Sequence, residues 1–323
     1  MEKNQMKTIL ITGVAGFIGY SLAKFLSENT DYKIIGLDNI NNYYDTKLKR
    51  DRINLLNDKI VFYKKDLNDN LDTIFKKYKF DCVINLAAQA GVRYAKKNPD
   101  AYIESNINGF YNLMQTVKRS DIKKVIYASS SSVYGSNTKM PFREKDRTAT
   151  PMSLYAATKL ADESLASSFF YSYRIRTIGL RFFSIYGPFG RPDMAYFKWT
   201  KSLTEGKQIE LNNNGKMWRD MTYIDDCVKS IHLLIENEES EDVPEIYNIG
   251  NKTPVMIGDL LSYISHKLNI EPKIIHTKAG SEEPIKTQAD IVKLKNKIGF
   301  EPNTDFQKGT DIYLEWYKDY YGK

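Results

Sequence analysis

The feature that most constrains the fold of this 323-residue chain is a short apolar run that ends in three glycines. The run Lys7–Thr12 leads into Gly13-Val-Ala-Gly16-Phe-Ile-Gly19, after which apolar residues recur at helical spacing. Gly13 can form a tight turn, Gly16 lets the backbone approach a phosphate, and Gly19 lets the helix pack against its strand. The segment therefore predicts a strand, a glycine turn and a helix whose N-terminus can bind a diphosphate.

An aspartate follows the second predicted strand at the position where such a turn requires one. The strand Tyr32–Leu37 ends at Asp38, nineteen residues beyond Gly19. A carboxylate there accepts hydrogen bonds from a ribose 2′-hydroxyl and repels a 2′-phosphate, so Asp38 favours NAD over NADP. The alternative for Asp38 is an aspartate that only stabilises a turn. The glycine spacing, GxxGxxG, also departs from the more general GxGxxG.

Strand and helix patterns then alternate along the chain. Apolar runs at 60–63, 82–88, 125–128 and 176–183 are separated by helical segments, including a long one near 100–120. This alternation predicts an α/β fold with a doubly wound parallel sheet (Rossmann), in which ligands bind at the carboxyl ends of the strands.

Two regions are expected from this pattern. Residues 1–183 are predicted to form the NAD-binding domain, and residues 184–323 a smaller α/β region that binds the substrate. The chain contains no Pro/Gly-rich linker or low-complexity segment between them. We therefore expect the second region to pack closely on the first and to be interleaved with it.

The composition narrows the classes of partner. A formal net charge of +7 and a pI of about 9.0 suggest an anionic partner. Lysines alternate with acidic residues and no run of five or six like charges occurs, which argues against nucleic acid and for a phosphate-bearing ligand. Neither a metal-binding Cys/His motif, a signal peptide nor an apolar run of transmembrane length is recognisable, so no metal, no membrane and a cytoplasmic location are expected.

A tyrosine and a lysine four residues apart are the candidate catalytic pair. The segment 155–168 predicts a helix, which places Tyr155 and Lys159 on one face. An ammonium beside a phenol favours the phenolate, which can act as a general base. Ser130 follows a predicted strand and could hydrogen-bond the hydroxyl that Tyr155 deprotonates. Exposed polar residues on a helix and a plain serine-rich loop are the alternative interpretations.

Two arginines in loop-like sequence are candidates for binding an anionic substrate. Arg191 and Arg219 both lie outside the glycine-turn domain. A guanidinium is always charged and presents a planar fork of donors that suits a diphosphate or a carboxylate. Either residue could instead be an ordinary surface charge.

Taken together, these residues resemble the extended short-chain dehydrogenase/reductase family, and within it the nucleotide-sugar 4-epimerases. The similarity covers essentially the whole chain and is strongest to UDP-glucuronate 4-epimerases. It rests on segments that match motifs of that group: LAAQAGVRYA (86–95), SSSSVYG (129–135), YAATK (155–159), GPFGRPDMA (187–195) and NNGKMWRDMTYIDD (213–226).

The resemblance implies roles for residues that match the motifs of the family. For NAD binding these are Gly13, Gly16, Phe17, Ile18, Gly19, Asp38, Asp66, Leu67, Leu86, Ala87, Ala88, Asn106 and Lys159. For the substrate they are Ser130, Ser131, Ser132, Ser184, Arg191, Met194, Phe197 and Arg219, with the two arginines near the UDP moiety and the phenylalanine and methionine near the uracil. Tyr155, Lys159 and Ser130 would be the catalytic residues, and a homodimer through the helices near 100–120 and 155–173 is implied.

The implied reaction is NAD-dependent 4-epimerisation of UDP-glucuronate to UDP-galacturonate through a 4-keto intermediate. A 4-epimerase of a neutral UDP-sugar is one alternative, and a non-catalytic member that senses NAD or binds RNA is another. Three departures from the family are Asn85 in place of a frequent histidine, Ser184 in place of a threonine, and an atypical loop at 278–290.

Overall fold

The computed structural model describes residues 6–278, 280 and 283–322. A seven-stranded, all-parallel sheet forms the centre of the molecule, with strand order β10-β6-β5-β4-β1-β2-β3. Its strands are β1 (Thr8–Thr12), β2 (Lys33–Asp38), β3 (Val61–Lys64), β4 (Cys82–Asn85), β5 (Lys124–Ser130), β6 (Arg176–Phe182) and β10 (Glu245–Ile249). The order reverses beside β1, and this is the point at which open parallel sheets bind ligands. The α/β, doubly wound fold expected from the sequence is confirmed.

Helices cover both faces of this sheet because its central strands are buried on both sides. All residues of β4 and most of β1 are buried, which explains their nearly continuous apolar sequences. The helices of the first 183 residues are α1 (Phe17–Asn29), α2 (Thr46–Leu55), α3 (Asp72–Lys77), α4 (Asp100–Tyr102), α5 (Gly109–Lys118) and α6 (Leu154–Tyr173). Between α4 and α5, Ile103–Asn108 form a π-helical turn, so the long helix expected near 100–120 is present but underwound at its centre.

The remaining residues form smaller elements beside the main sheet. Two further sheets contain β7 (Ser184–Tyr186), β9 (Trp218–Tyr223) and β11 (Pro254–Met256), and β8 (Ile209–Asn212) with β12 (Ile274–Thr277). The helices of this later part of the chain are α7 (Ala195–Thr204), α8 (Ile224–Glu236), α9 (Ile257–Leu268), α10 (Val292–Ile298) and α11 (Phe306–Tyr321).

The second part of the chain also completes the first sheet. The strand β10 pairs with β6 from Glu245 opposite Ile178 to Ile249 opposite Phe182. The apolar face of α8 is buried in the same core cluster as that of α1. A boundary at residue 183 stays a prediction, but the chain on its far side contributes an edge strand to the large sheet.

Candidate active site

A cleft of about 1410 Å³ runs along the carboxyl ends of the parallel strands and continues between the large sheet and the later elements. It contains nearly every residue that the sequence nominated. These are Gly13, Gly16, Phe17, Ile18, Gly19, Asp38, Asp66, Leu67, Leu86, Ala87, Ala88, Ser130, Ser131, Ser132, Tyr155, Lys159, Ser184, Arg191, Met194, Phe197 and Arg219. Residues that lie up to about 200 positions apart in the sequence therefore share one cavity.

The glycine turn leaves no room for side chains. Gly13 has a φ of +70°, and a Cβ atom built on it would lie 2.6 Å from the backbone nitrogen of Ala87. A Cβ atom on Gly19 would overlap the carbonyl oxygen of Gly13. The turn is followed by α1, whose N-terminus receives no hydrogen bond from a capping side chain. Its first backbone N–H groups are thus available to an anion at the positive end of the helix dipole.

Asp38 lies at the end of β2, beside the glycine turn. Its two carboxylate oxygens accept hydrogen bonds from the backbone nitrogens of Ala15 (3.0 Å) and Ile40 (2.7 Å), which fix the side chain at the wall of the cleft. Burial raises the pKa of this carboxyl above its usual range, although the two backbone donors oppose the shift. Each oxygen retains a lone pair that could accept from a ribose hydroxyl.

These features fit NAD. The glycine turn and the uncapped helix N-terminus suit its diphosphate, and Asp38 suits the adenosine ribose. Asp66, at the end of the next strand, accepts a hydrogen bond of 2.6 Å from the Asn39 amide and lines the same part of the cleft.

The first turn of α6 carries the candidate catalytic pair. The Ser153 hydroxyl caps this helix by accepting a hydrogen bond from the backbone nitrogen of Ala156 (3.1 Å), so Tyr155 lies at a fixed helix start. Lys159 follows one turn later and is almost fully buried. Its Nζ atom donates to Oδ2 of Asp162 at 3.0 Å. The Tyr155 ring packs edge-on against Tyr102, with ring centroids 6.2 Å apart.

The serine run supplies hydroxyl groups opposite this helix. Ser130 ends β5, and its Oγ accepts a hydrogen bond of 3.1 Å from the backbone nitrogen of Ser132. Ser129, by contrast, donates to Glu163 at 2.6 Å and so serves the packing of α6 on β5. The run is therefore not a plain solvent-exposed loop, since Ser130 and Ser132 line the cleft together with Tyr155.

Asn106 is the one nominated residue that the structure does not place at the wall of the cleft. Its side chain accepts from the backbone nitrogen of Gln89 (2.8 Å) and donates to the Gln89 carbonyl (3.1 Å) and to the Thr158 hydroxyl (2.9 Å). The amide thus joins the π-helical turn to α6 and to the loop after β4. Its contribution to NAD binding stays a prediction, and the contacts support an indirect one through Gln89.

Arg191 is partly buried within a small network of charged and phenolic groups. Its guanidinium donates twice to Asp193, from Nε at 3.0 Å and from a terminal nitrogen at 2.5 Å, and Tyr43 donates to the same carboxylate at 3.0 Å. This pairing holds the arginine side chain at the wall of the cleft. Two of its five N–H donors serve Asp193, which leaves others for a ligand.

A second arginine crosses between the glycine turn and the loop that carries Arg191. Arg52 is fully buried and donates to the Ala15 carbonyl (2.7 Å), to the Tyr44 hydroxyl (2.7 Å), and to the carbonyls of Phe189 (2.6 Å) and Gly190 (3.2 Å). Nothing in the sequence pattern pointed to Arg52, because a lone arginine in a charged helix looks solvent-exposed.

At the other end of the cleft, Glu283 lies between two arginines. It pairs with Arg93 at 2.5 Å, and Arg219 lies 4.0 Å from its second oxygen. Glu283 belongs to the atypical loop at 278–290, of which residues 279, 281 and 282 lie outside the described part of the chain. The motif that contains Arg93 was recognised in the sequence, but the lining positions of Arg93, Asp193 and Glu283 were missed.

Neither a metal cluster nor a membrane-spanning helix occurs in the described part of the chain. Within the described residues, no three or more His, Cys, Asp or Glu side chains are grouped so that they could hold a metal ion. No helix in the same part of the chain combines the length and apolar character needed to cross a bilayer.

Comparison with known proteins identifies what this arrangement resembles. Residues 9–250 match the model of the NAD dependent epimerase/dehydratase family. UDP-glucuronate 4-epimerase 4 of Arabidopsis thaliana is 43% identical over 97% of this chain and 76% of that protein. Protein CapI of Staphylococcus aureus is 41% identical over 98% of this chain and 99% of that protein.

Solved structures agree with the sequence comparison. The UDP-glucuronic acid 4-epimerase from Bacillus cereus in complex with UDP-glucuronic acid and NAD superposes with a TM-score of 0.92 at 31% identity, over 97% of this chain and all of that one. The UDP-N-acetylglucosamine 4-epimerase from Methanobrevibacter ruminantium M1, in complex with UDP-N-acetylmuramic acid, gives a TM-score of 0.87 at 28% identity, over 98% and 99% of the two chains.

Proposed function

Because the chain belongs to the NAD dependent epimerase/dehydratase family, we propose that it is an NAD-dependent 4-epimerase that interconverts UDP-glucuronate and UDP-galacturonate. One observation carries the proposal: the Tyr155–Lys159 pair shares a cleft with the NAD-type glycine turn, with a partly buried arginine and with several serine hydroxyl groups. The UDP-glucuronate 4-epimerase relatives, in sequence and in structure, support the same substrate.

Tyr155 performs the proton transfer in this proposal. Its phenolate removes the proton of the sugar 4-hydroxyl and later returns it to the same oxygen, when hydride adds to the other face of the 4-keto sugar. The buried Lys159 ammonium stabilises the phenolate, and Ser130 Oγ hydrogen-bonds the reacting oxygen. NAD, when bound, supplies the hydride acceptor and donor at carbon 4, so the reaction has no net change of oxidation state.

The uronate carboxylate needs its own binding groups. A 4-keto uronate is a β-keto acid, which loses carbon dioxide readily when its C–C bond aligns with the ketone π system. Arg191, with the hydroxyls of Ser131, Ser132 and Ser184, is proposed to hold the carboxylate out of that alignment. Arg219 is proposed to bind the diphosphate, and Met194 and Phe197 to contact the uracil.

A neutral-sugar 4-epimerase is the second candidate. The observation that favours it is the double hydrogen bond between Arg191 and Asp193, which occupies part of the guanidinium that a carboxylate would need. The UDP-N-acetylglucosamine 4-epimerase among the structural relatives supports it as well. A non-catalytic NAD-sensing or RNA-binding role is a weaker candidate, because Ser130, Tyr155 and Lys159 are all present and all line the cleft.

Separate incubation with UDP-glucuronate, UDP-glucose and UDP-N-acetylglucosamine tests the proposal. We expect NMR of the products to show inversion at carbon 4 only, or at much the highest rate, with UDP-glucuronate, and no pentose. A higher rate with UDP-glucose would favour the neutral-sugar alternative, and no product from any of the three would refute epimerase activity.

A homodimer and a cytoplasmic location are further parts of this proposal. The face formed by the π-helical turn, α5 and α6 exposes Ile103, Tyr111 and Tyr173, which are large apolar or aromatic side chains. Tyr111 packs edge-on against Phe169 of α6, so the two helices present one continuous surface. A second copy of the chain would cover it.

A further inference from the structure

A buried carboxylate stands directly behind the candidate catalytic lysine. Asp162 follows Lys159 by three residues on α6, and the two side chains are each about 2% exposed. One oxygen, Oδ2, accepts the hydrogen bond from Lys159 Nζ at 3.0 Å. The other, Oδ1, is buried and has no hydrogen-bond partner among the described residues.

If this ion pair had only a structural role, it would destabilise the folded state. A carboxylate buried with one oxygen unpaired loses more hydration free energy than a single ion pair supplies. A well-packed apolar residue of similar volume would give a more stable fold. The neighbouring Glu163 shows the contrast, because it accepts from Ser129 and pairs with both Nε and a terminal nitrogen of Arg181. Asp162 has only Lys159.

The charge of Asp162 can affect the reaction centre through Lys159. It does not line the cleft itself, whereas Lys159 does. An ammonium that faces a phenol on one side and a carboxylate on the other stabilises the phenolate less than an uncompensated ammonium would. A protonated, neutral Asp162 restores the full effect.

We propose that Asp162 is a positioning residue for Lys159: it fixes the ammonium by a hydrogen bond and compensates part of its charge, and so controls how strongly the lysine stabilises the Tyr155 phenolate. This inference rests on the proposed epimerase function. It assigns to Asp162 a graded control of the proton-transfer group and no contact with the substrate.

The protonation state of Asp162 should change within the working pH range. Burial raises the pKa of Asp162 to about 6, although the Lys159 ammonium opposes the shift. The titratable groups near it are Lys159 and Glu163 on α6 and the Tyr127 phenol on β5, and the charge of Glu163 is paired with Arg181 on β6. Below this pH the carboxyl is neutral, and above it the carboxylate compensates Lys159.

Lysine NMR of the wild-type protein with its bound NAD is the first test. In protein labelled with ε-¹³C-lysine, we expect the Lys159 resonance, assigned by its loss in Lys159→Arg, to shift with a midpoint near pH 6. In Asp162→Asn, which is nearly isosteric, the resonance should lack this step. A wild-type resonance that stays constant between pH 5 and 7.5 overturns the proposal, and this outcome does not depend on whether Asp162→Asn folds.

The pH profile of kcat/KM for UDP-glucuronate is the second test. Asp162→Asn removes the compensating charge, so its acid limb should move to lower pH by about one unit, a tenfold change in the ratio of phenolate to phenol. The exposed Asp121→Asn removes the same charge elsewhere and should leave the profile unchanged. An acid limb in Asp162→Asn that coincides with that of wild type, or moves to higher pH, contradicts the proposal. Absence of turnover in wild type would count against the epimerase function alone. The NMR titration of Lys159 would then test the role of Asp162 by itself.

Discussion

At the scale of single residues, this cleft holds its charged groups in prearranged pairs. Lys159 is paired with Asp162, Arg191 with Asp193, and Arg93 with Glu283. A ligand that enters such a cleft meets side chains whose rotamers are already fixed, which lowers the entropic cost of binding. The pairs also explain why charge alone, read along the sequence, could not identify the site: each arginine or lysine looks like a surface residue until its partner is known.

Substitution of the candidate base is the most direct residue-scale prediction. Tyr155→Phe removes only the hydroxyl, so we expect turnover of UDP-glucuronate to fall by at least about 10³-fold, in the range of lost general acid/base catalysis. The NAD content, measured after denaturation and chromatography, should remain that of wild type. Tyr171→Phe, an exposed tyrosine on the same helix, is the matched control. Appreciable turnover by Tyr155→Phe would exclude Tyr155 as the base.

The proposed role of Arg191 leads to a change in product as well as in affinity. Arg191→Ala removes a charge-assisted donor, so we expect the KM for UDP-glucuronate to rise at least about tenfold and a decarboxylated pentose product to appear. NMR of the products and KM values for UDP-glucuronate and UDP-glucose measure the effect.

The control for this substitution must deal with Asp193, which loses its partner. The double variant Arg191→Ala/Asp193→Ala leaves no unpaired carboxylate and should behave as the single variant does. An unchanged KM for UDP-glucuronate with no pentose in either variant would show that Arg191 does not bind the carboxylate.

At the scale of elements, the sequence predicted six of the seven strands of the large sheet to within a few residues, whereas β10 was expected to belong to the smaller second region. Buried parallel strands have continuous apolar sequences, and turns or glycines end them, so β1, β2, β5 and β6 were recognisable. The run at 82–88 was predicted too long. The strand ends at Asn85 because residues 86–91 leave the sheet to line the cleft. The π-helical turn was not predictable either, since Asn106 within it bonds to Gln89 and Thr158, which are distant in the sequence.

Long-range contacts set the limit of prediction for the site. The glycine turn, Asp38 and the Tyr155–Lys159 pair could be found because local spacing determines their relation to a helix or a strand. Arg52, Asp193 and Glu283 could not, because each has a partner in a distant part of the chain. For Asp193 that partner is Tyr43. Asn106 shows the opposite case. The resemblance nominated it for NAD binding, but its amide makes hydrogen bonds within the fold, to Gln89 and Thr158.

The packing of the glycine turn supports an element-scale prediction. In Gly19→Ala the added Cβ would overlap the Gly13 carbonyl oxygen and lie 2.8 Å from its carbon, so α1 must move away from β1. We expect a lower Tm and an NAD affinity reduced at least about tenfold, because the N–H groups that bind the diphosphate shift with the helix.

Calorimetric titration of NAD into the apoprotein and thermal unfolding measure both effects. Gly258→Ala, whose Cβ would meet its nearest atom at 3.5 Å, is the control and should retain wild-type values. Wild-type NAD affinity in Gly19→Ala would show that this close approach does not set the diphosphate site.

At the scale of the whole molecule, the two predicted regions depend on each other. The strand β10 comes from the second region and completes the edge of the large sheet beside β6. A chain cut at residue 183 would expose the β6 edge and the apolar face of α1 that α8 covers.

The proposed dimer is the prediction that belongs to this scale. Tyr111 is 47% exposed on α5, and Tyr111→Asp places a charge on the face proposed to meet a second copy. We expect light scattering after gel filtration to give a dimer for wild type and a monomer for Tyr111→Asp, because burying an unpaired carboxylate is unfavourable. Val292→Asp, at an exposed position on α10, should remain a dimer. A monomeric wild type, or an unaffected variant, would contradict the assignment of this face.

The fully buried guanidinium of Arg52 has a consequence for how the sugar is turned over. The Arg52 side chain donates hydrogen bonds both to the backbone of the glycine turn and to that of residues 189–190, so it joins two segments beside the cleft. These hydrogen bonds oppose separation of the two segments. We therefore expect the ring of the keto sugar, rather than the protein around it, to move by rotating about its phosphate link.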